Sequence, residues 1–344
     1  MIKTGIVGAT GYTGSELVRL LYNHPEVDIR IITSESRKGE RFSDIHPHFQ
    51  GLADYELQSA DKVPEEDLDA VFLALPHGVS MDYVKKFAGA SLRMIDLSGD
   101  FRLSAPDVYE SWYGKEHTFP QGFKKAVYGL PELHRDEIRN SRLVANPGCY
   151  PTSAILGLAP LVKNNIIIPG QVVVDSKSGV TGAGVKAKPT THYSNVSDNF
   201  KAYGLKRHRH TIEIEEQLSG LSSNGTMQLQ FTPHLLPVDR GILSTIYTQP
   251  REGVTENQLK ALYADFYKTH PFVRLRPEPP ALKDVRGSNF CDLFVTYDER
   301  TNRIITLAVI DNLVKGAAGQ AMQNMNLMFG LEEETGFVAV PLNP

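Results

Sequence analysis

The first twenty-two residues restrict the fold more than any other part of the chain. An apolar run, Ile2 to Val7, breaks into Gly8-Ala9-Thr10-Gly11-Tyr12-Thr13-Gly14, and an amphipathic stretch from Ser15 to Tyr22 follows, with Leu17, Leu20 and Leu21 on one face. Strand, glycine turn and helix in direct succession form the repeating unit of a parallel sheet, where a crossover helix must return the chain to the same edge. Pro25 ends the helical pattern. Apolar runs recur at Val27 to Thr33, Ala70 to Leu75 and Met94 to Leu97, separated by helical patterns such as Val79 to Phe87. This alternation predicts an α/β, doubly wound parallel sheet. Leu143 to Ala145 reads as its last strand, which assigns residues 1–148 to a first domain.

Beyond that point the pattern changes. A helix is predicted from Pro151 to Asn164, then strands at Gln171 to Ser176, Met227 to Pro233, Gly241 to Thr248, Asp292 to Tyr297 and Arg303 to Ile310. Closely spaced strands with polar turns predict a second, α+β domain over residues 149–311, its sheet largely antiparallel or mixed and packed on helices. Thr255-Glu256-Asn257-Gln258 is a capping-box sequence opening a helix to about His270. Lys315 to Phe329 is the final helix, and the segment 312–330 is assigned back to the first domain. A chain of 344 residues with 41% hydrophobic content can bury two such cores.

A net charge of -4 gives no general attraction to nucleic acid or to anionic membranes. No apolar stretch approaches the ~20 residues of a spanning helix. The start reads as a strand rather than a signal peptide. Cys149 and Cys291 do not make a disulfide framework, so a reducing cytoplasm is the expected location.

The spacing Gly8-x-x-Gly11-x-x-Gly14 between strand and helix is a variant of the Rossmann-type dinucleotide fingerprint. Glycines permit the tight turn, and the helix N-terminus offers N–H groups to a pyrophosphate. Thr10, Tyr12 and Thr13 belong to the same cofactor turn. At the end of the second strand Glu35 suits the ribose hydroxyls of NAD, whereas Ser34, Ser36, Arg37 and Lys38 suit a 2′-phosphate. The favoured cofactor is NADP.

Cys149 lies in Asn-Pro-Gly-Cys-Tyr-Pro-Thr, between a strand and a helix that Pro151 helps to start. A thiol at a helix N-terminus is biased towards the nucleophilic thiolate, and N–H groups there can receive an oxyanion. Cys291, at the head of an alternating strand, reads as structural. In His208-Arg209-His210, His210 precedes Thr211, a good N-cap, and an acidic helix start. His210 is the preferred proton acceptor, with His208 the alternative. Neither this pair nor His46 and His48 has a Cys or carboxylate companion at ligand spacing, so no metal is expected.

Eight segments together resemble the N-acetyl-gamma-glutamyl-phosphate reductase family, related to aspartate-semialdehyde dehydrogenases and more distantly to glyceraldehyde-3-phosphate dehydrogenases. They are residues 8 to 14, 73 to 78 (Leu-Ala-Leu-Pro-His-Gly), 96 to 103 (Asp-Leu-Ser-Gly-Asp-Phe-Arg-Leu), 128 to 133 (Tyr-Gly-Leu-Pro-Glu-Leu), 146 to 152, 178 to 184 (Ser-Gly-Val-Thr-Gly-Ala-Gly), 208 to 211 and 311 to 321. Ile212 departs from the proline common in the family's His-Thr-Pro-Glu-Ile.

The resemblance implies NADPH-dependent reduction of N-acetylglutamyl 5-phosphate in arginine biosynthesis, through a Cys149 thioester with His210 moving protons. It further implies phosphate binding by Arg102, and His208 and Ser178 beside the substrate. Gly179 and Gly182 would lie near the nicotinamide, and Pro76 and His77 would border the cofactor. Asn312 would contact the cofactor or cap the last helix. The family suggests a homodimer or homotetramer, with the acyl phosphate and inorganic phosphate as small-molecule partners. The competing readings are a reductase of aspartyl phosphate or carrier-bound aminoadipyl phosphate, a non-catalytic NADP-sensing regulator, and a cysteine hydrolase that would have little use for the glycine turn.

Overall fold

A computed structural model describes residues 1–343. The chain divides into two compact units, Met1–Pro147 with Ala317–Val338, and Gly148–Gly316 with the stretch from Ala339.

In the first unit the described residues form six strands: β1 (Ile2–Val7), β2 (Val27–Thr33), β3 (Ala70–Leu73), β4 (Arg93–Asp96), β5 (Ala126–Tyr128) and β6 (Leu143–Ala145). Their order is β2-β1-β3-β4-β6-β5, and every pair is parallel. All four residues of β3 are buried, as an inner parallel strand with both faces covered requires. The order reverses between β1 and β3. Loops leaving the carboxyl ends of these neighbours therefore flank the crevice where doubly wound sheets bind ligands. Those loops are the glycine turn and Ala74–Val79.

The last helix differs from expectation. It runs Gly319–Met328, and Lys315 belongs to a preceding π-turn, Val314–Ala318, closed by the Gly316 N–H donating to the Asp311 carbonyl at 2.9 Å. All ten residues of the helix are buried in spite of its amides. Two of the amide NH2 groups are held by main-chain carbonyls: Asn324 Nδ2 donates to the Gly129 carbonyl at 2.8 Å, and Asn326 Nδ2 to the Glu333 carbonyl at 3.0 Å.

The second unit carries β7 (Ile167–Gly179), β8 (Lys201–Ala202), β9 (Gln230–Leu236), β10 (Ile242–Pro250), β11 (Val273–Leu275), β12 (Cys291–Asp298) and β13 (Arg303–Ile310), in the order β11-β12-β13-β10-β7-β9-β8. The β7–β9 and β11–β12 pairs are parallel and the others antiparallel, so the sheet is mixed. β7 is longer than predicted because pairing with β9 and β10 continues past Ser176 through the polar Lys177 and Ser178. Helices Cys149–Lys163 and Glu256–Tyr267 cover one face. A Cβ at Gly157 would stand 2.6 Å from Ile246 Cδ1, which explains a glycine where the first helix crosses β10. Tyr263 Oη then donates to the Gly157 carbonyl at 2.5 Å, tying the two helices together. The capping box at Thr255 forms as expected, with the Gln258 side chain accepting from the Thr255 N–H at 2.9 Å.

Candidate functional site

The three glycines of the first unit have three different jobs. Gly8 has φ +89°, and a Cβ there would lie 2.4 Å from the Ala74 carbonyl oxygen. Gly14 lies against the turn, where a Cβ would meet the Gly8 oxygen at 2.3 Å and the Ala9 backbone at 2.7 Å. Gly11 is the N-cap of helix Tyr12–Tyr22, and a Cβ there would find nothing closer than 3.9 Å. Gly8 and Gly14 are thus required by packing, while the space at Gly11 suits the close approach of a pyrophosphate to backbone. The helix begins at Tyr12 rather than Ser15, since the Ser15 N–H already donates to the Gly11 carbonyl at 2.8 Å. Thr10 Oγ1 pairs with Ser34 Oγ at 3.2 Å, linking the turn to the end of β2.

The Glu35 carboxylate accepts from the Ala60 N–H at 2.8 Å and from Ser59 Oγ at 3.3 Å. Ser36 and Arg37 are exposed, and Arg37 pairs with Glu40 at 3.3 Å across open solvent. The Pro76-His77-Gly78 turn is held from the segment after β4. The Gly78 N–H donates to Asp100 Oδ1 at 2.7 Å, and the Gly99 N–H to His77 Nδ1 at 2.7 Å. An acceptor Nδ1 leaves the neutral His77 ring protonated at Nε2. Asp96, fully buried, accepts from Ser80 Oγ and Ser98 Oγ at 2.5 and 2.8 Å; burial and then the neighbouring Asp100 push its carboxyl up to about 6. Arg102 is only 6% exposed, and it donates through Nε to the Asn146 carbonyl at 2.7 Å and through Nη2 to the Leu97 carbonyl at 2.8 Å.

In the second unit Cys149 is the first residue of helix Cys149–Lys163, with Gly148 as N-cap. The Gly148 N–H donates to Glu213 Oε1 at 2.7 Å, and its carbonyl accepts from Thr152 N and Oγ1 at 2.9 and 3.0 Å. Glu213 lies in the first turn of helix His210–Leu221. That helix starts at His210, preceded by Arg209 with no side-chain cap, so the expectation of Thr211 as N-cap is corrected: Thr211 already lies inside, its N–H donating to the His208 carbonyl at 2.9 Å.

The Tyr150 ring joins the two starts, with ring centroids 5.9 Å from His210 and 5.7 Å from His208. Tyr150 Oη is 3.0 Å from Tyr203 Oη. Burial, followed by Tyr203, pushes the Tyr150 hydroxyl well above the usual phenol range, and burial raises Tyr203 to about 12. His208 Nδ1 accepts from the His210 N–H at 3.2 Å; burial and then the adjacent Arg209 push the His208 ring down to about 4.

Ser178, 3% exposed, donates to the Gly179 carbonyl at 3.0 Å. A Cβ at Gly182 would lie 3.3 Å from Ser178 Oγ and 3.7 Å from Asn312 Nδ2. Asn312, 2% exposed, spends its amide on this loop, donating to Thr181 Oγ1 at 2.9 Å and accepting from the Gly241 N–H at 2.7 Å. Gly316 of the π-turn packs on the nucleophile candidate, where a Cβ would stand 2.9 Å from Cys149 Cβ. Glu213, Gly316, Asp96 and Asp100 were not among the residues read from the sequence as functional. Among the described residues no group of three or more His, Cys, Asp and Glu side chains could hold a metal ion, and no helix is long and apolar enough to cross a membrane.

The low His208 value has a measurable consequence. The free imidazole titrates at 6.5 and the folded one at about 4, so as pH falls the unfolded chain takes the proton first. The stability contributed by neutral His208 is complete above pH 6.5 and is lost as pH falls towards 4. From pH 7 to 4.5 the loss amounts to about 2–3 kcal/mol. Denaturant titrations should show the His208→Asn variant losing that much less stability than the wild type over this interval. Equal slopes would remove His208 from the acid sensitivity. The other depressed histidines (His24, His46, His117) act in the same direction and Asp96 in the opposite one; both sets cancel in the comparison.

Residues 3–141 match the family described as "Semialdehyde dehydrogenase, NAD binding domain", and residues 149–312 match "Semialdehyde dehydrogenase, dimerisation domain". The glycine turn and the Pro76-His77-Gly78 turn both fall in the first match, and Cys149 opens the second. The chain is 50% identical over 347 residues, 100% of each chain, to the N-acetyl-gamma-glutamyl-phosphate reductase of Desulforudis audaxviator strain MP104C. Its fold is similar to aspartate semialdehyde dehydrogenase II of Vibrio cholerae, solved with ASA, at a TM-score of 0.73 and 17% identity over 96% of this chain and 98% of that one. It is also similar to the Candida albicans aspartate semialdehyde dehydrogenase solved with NADP, at a TM-score of 0.71 and 19% identity over 96% and 98%.

Proposed function

Because the chain belongs to the N-acetyl-gamma-glutamyl-phosphate reductase family, we propose that it reduces N-acetyl-L-glutamyl 5-phosphate to N-acetyl-L-glutamate 5-semialdehyde and phosphate, with Cys149 as nucleophile and His210 as acid/base. The observation that carries this reading is the junction of two helix starts in the second unit, where Glu213 binds the peptide preceding Cys149 and the Tyr150 ring meets His210.

Cys149 sits where the positive end of a helix favours a thiolate. The thiolate attacks the acyl carbonyl, the carbonyl–phosphate bond breaks, and phosphate leaves with its electron pair, so a thioester remains on the sulfur. The Gly148 N–H is spent on Glu213 and Pro151 has none. The oxyanion is therefore assigned to the start of the helix that Cys149 opens, where the positive end of the helix dipole faces it. When bound, the reduced nicotinamide supplies the hydride. His210 takes the thiol proton at the start and returns one as the carbon–sulfur bond breaks. His208 serves that role poorly, because its ring resists protonation until about pH 4 and its Nδ1 holds the His210 backbone. It is assigned to the substrate side with Ser178 and with Arg102, whose guanidinium also braces the Asn146 carbonyl.

Gly8, Gly11 and Gly14 fit a dinucleotide, with Thr10, Tyr12 and Thr13 completing the turn. NADP is preferred to NAD because Glu35 is engaged with Ser59 and Ala60, while Ser36 and Arg37 stand exposed. The exposed Arg37–Glu40 pair is worth at most ~1 kcal/mol, so a 2′-phosphate displaces it readily. Pro76 and His77 border the cofactor. Gly179, Gly182 and Asn312 form the glycine loop on the nicotinamide side.

A homo-oligomer is proposed through the sheet face opposite the helices, where Val173 and Tyr247 are 40% and 41% exposed beside Leu243, Ile305 and Leu307. Sedimentation of the Tyr247→Glu variant should give a smaller species than the wild type. The reaction itself is tested in reverse: phosphate-dependent reduction of NADP by N-acetylglutamate semialdehyde, run beside NAD and beside the aspartate and aminoadipate semialdehydes. Equal or greater rates with another semialdehyde would overturn the substrate assignment.

A further inference from the structure

Resting on the thioester reading above, we propose that Glu213 is a positioning residue, whose carboxylate holds the peptide before the nucleophile and so sets Cys149 and His210 in one frame. Glu213 is 0% exposed. Burying a carboxylate is costly unless its oxygens are bound, so its place in the core needs a reason. The bond from Gly148 N–H to Oε1, at 2.7 Å, has the length of a charge-assisted bond. On the other side of the same residue, the Gly148 carbonyl is gripped twice by Thr152. Gly148 is therefore clamped at its N–H by one helix and at its carbonyl by the other, and the next atoms along the chain are those of Cys149.

Glu213 lies three residues beyond His210, in the opening turn of the same helix, while Gly148 is the N-cap of the helix that Cys149 opens. One bond thus connects the helix start bearing His210 to the helix start bearing the thiol. With Glu213 removed, the Gly148 N–H loses its acceptor in a buried place, and the peptide is free to turn that donor elsewhere. A shift of about 1 Å in an attacking group can cost ~100-fold in rate. Because the effect passes through geometry, an uncharged acceptor of the same shape should largely replace the carboxylate.

The test uses the full chain with the substitutions Glu213→Gln, Glu213→Asp and Glu213→Ala, beside Cys149→Ser. For each, kcat and KM in the phosphate-dependent reverse reaction, NADPH affinity by fluorescence, thermal unfolding, and the pH dependence of Cys149 alkylation by iodoacetamide are measured. Glu213→Gln keeps an acceptor oxygen and should retain kcat within about fivefold. Glu213→Asp, too short to reach, and Glu213→Ala should lose about 100-fold in kcat, with NADPH affinity within about twofold and a displaced alkylation profile.

Should the alanine protein fail to fold, the aspartate variant decides. A folded aspartate or alanine variant with kcat within threefold of wild type and an unchanged alkylation profile overturns the proposal. So does a folded glutamine variant as impaired as the aspartate one, since charge rather than the hydrogen bond would then matter. If Cys149→Ser is inactive while the Glu213 variants behave as wild type, the inference fails alone. Turnover by Cys149→Ser at more than about a hundredth of the wild-type rate defeats the thioester reading itself.

Discussion

The Cys149→Ser protein should be at least ~10⁴-fold slower in turnover, with NADPH affinity within a factor of about two of wild type. Sulfur and oxygen have nearly the same place in this helix turn, so neither packing nor the Gly148 clamp should change. What changes is the nucleophile. A helix N-terminus biases a thiol towards the thiolate that a neighbouring base completes, whereas that field, worth ~1 kcal/mol, cannot ionise an alcohol near neutral pH. The loss should therefore appear in kcat, with thermal unfolding unmoved. Mass spectrometry of the wild-type protein under single-turnover conditions should show the acyl group on the peptide containing Cys149. Product formed by the serine protein at more than a hundredth of the wild-type rate would end the thioester scheme.

Gly14→Ala should be the most damaging of the small substitutions in the first unit. In an ordinary exposed helix the same change stabilises by about 1 kcal/mol, because glycine is a poor helix former. Here the added methyl would stand 2.3 Å from the Gly8 oxygen and 2.8 Å from the Ala9 carbonyl carbon, atoms of the backbone that cannot rotate away. Helix Tyr12–Tyr22 must then move off the turn that it is meant to complete. A net destabilisation of about 3 kcal/mol is expected, with NADPH affinity reduced at least ~100-fold. Gly11→Ala is the informative control, since its methyl would have no neighbour closer than the Gly8 oxygen at 3.9 Å. It should melt like the wild type and yet bind NADPH weakly, because the pyrophosphate would occupy that space. A Gly14→Ala protein that melts and binds normally would refute the packing role given to this glycine.

Much of the fold was legible because its signals are local. β2, β6 and β13 begin and end where their apolar runs do, and the capping box at Thr255 forms from residues within one turn. The short strands β5, β8 and β11 carry too few residues for a pattern, and they exist because a neighbouring strand offers a ladder. The helix Gly319–Met328 was seen, but not the reason for its many amides, whose acceptors lie at Gly129 and Glu333. The start of the helix at His210 was misplaced by two residues for a similar reason: Thr211 has good capping chemistry, but the N-cap is Arg209 and the backbone had already begun to turn.

For the candidate site, the residues that chemistry marks by type were visible from the sequence: a thiol before a helix, two imidazoles, three spaced glycines. The residues that act by holding others were not. Glu213, in Ile-Glu-Ile-Glu-Glu, has the local pattern of a solvated helix face, yet it is buried, with Gly148, 65 positions away, presenting an N–H to it. Asn312 reads from the sequence as a cofactor contact or a cap, and what the sequence did not show is that its amide links Thr181 to Gly241.

The order of the longer strands and helices, the glycine turn and the chemical type of the candidate nucleophile were legible from sequence alone, since periodicity, backbone freedom and functional-group type are properties of residues and their near neighbours. Which buried polar groups satisfy one another, and hence how the thiol and imidazole helices are set, was decided only by the tertiary structure. A hydrogen bond in the core is specified by two distant positions at once, and neither carries the information by itself.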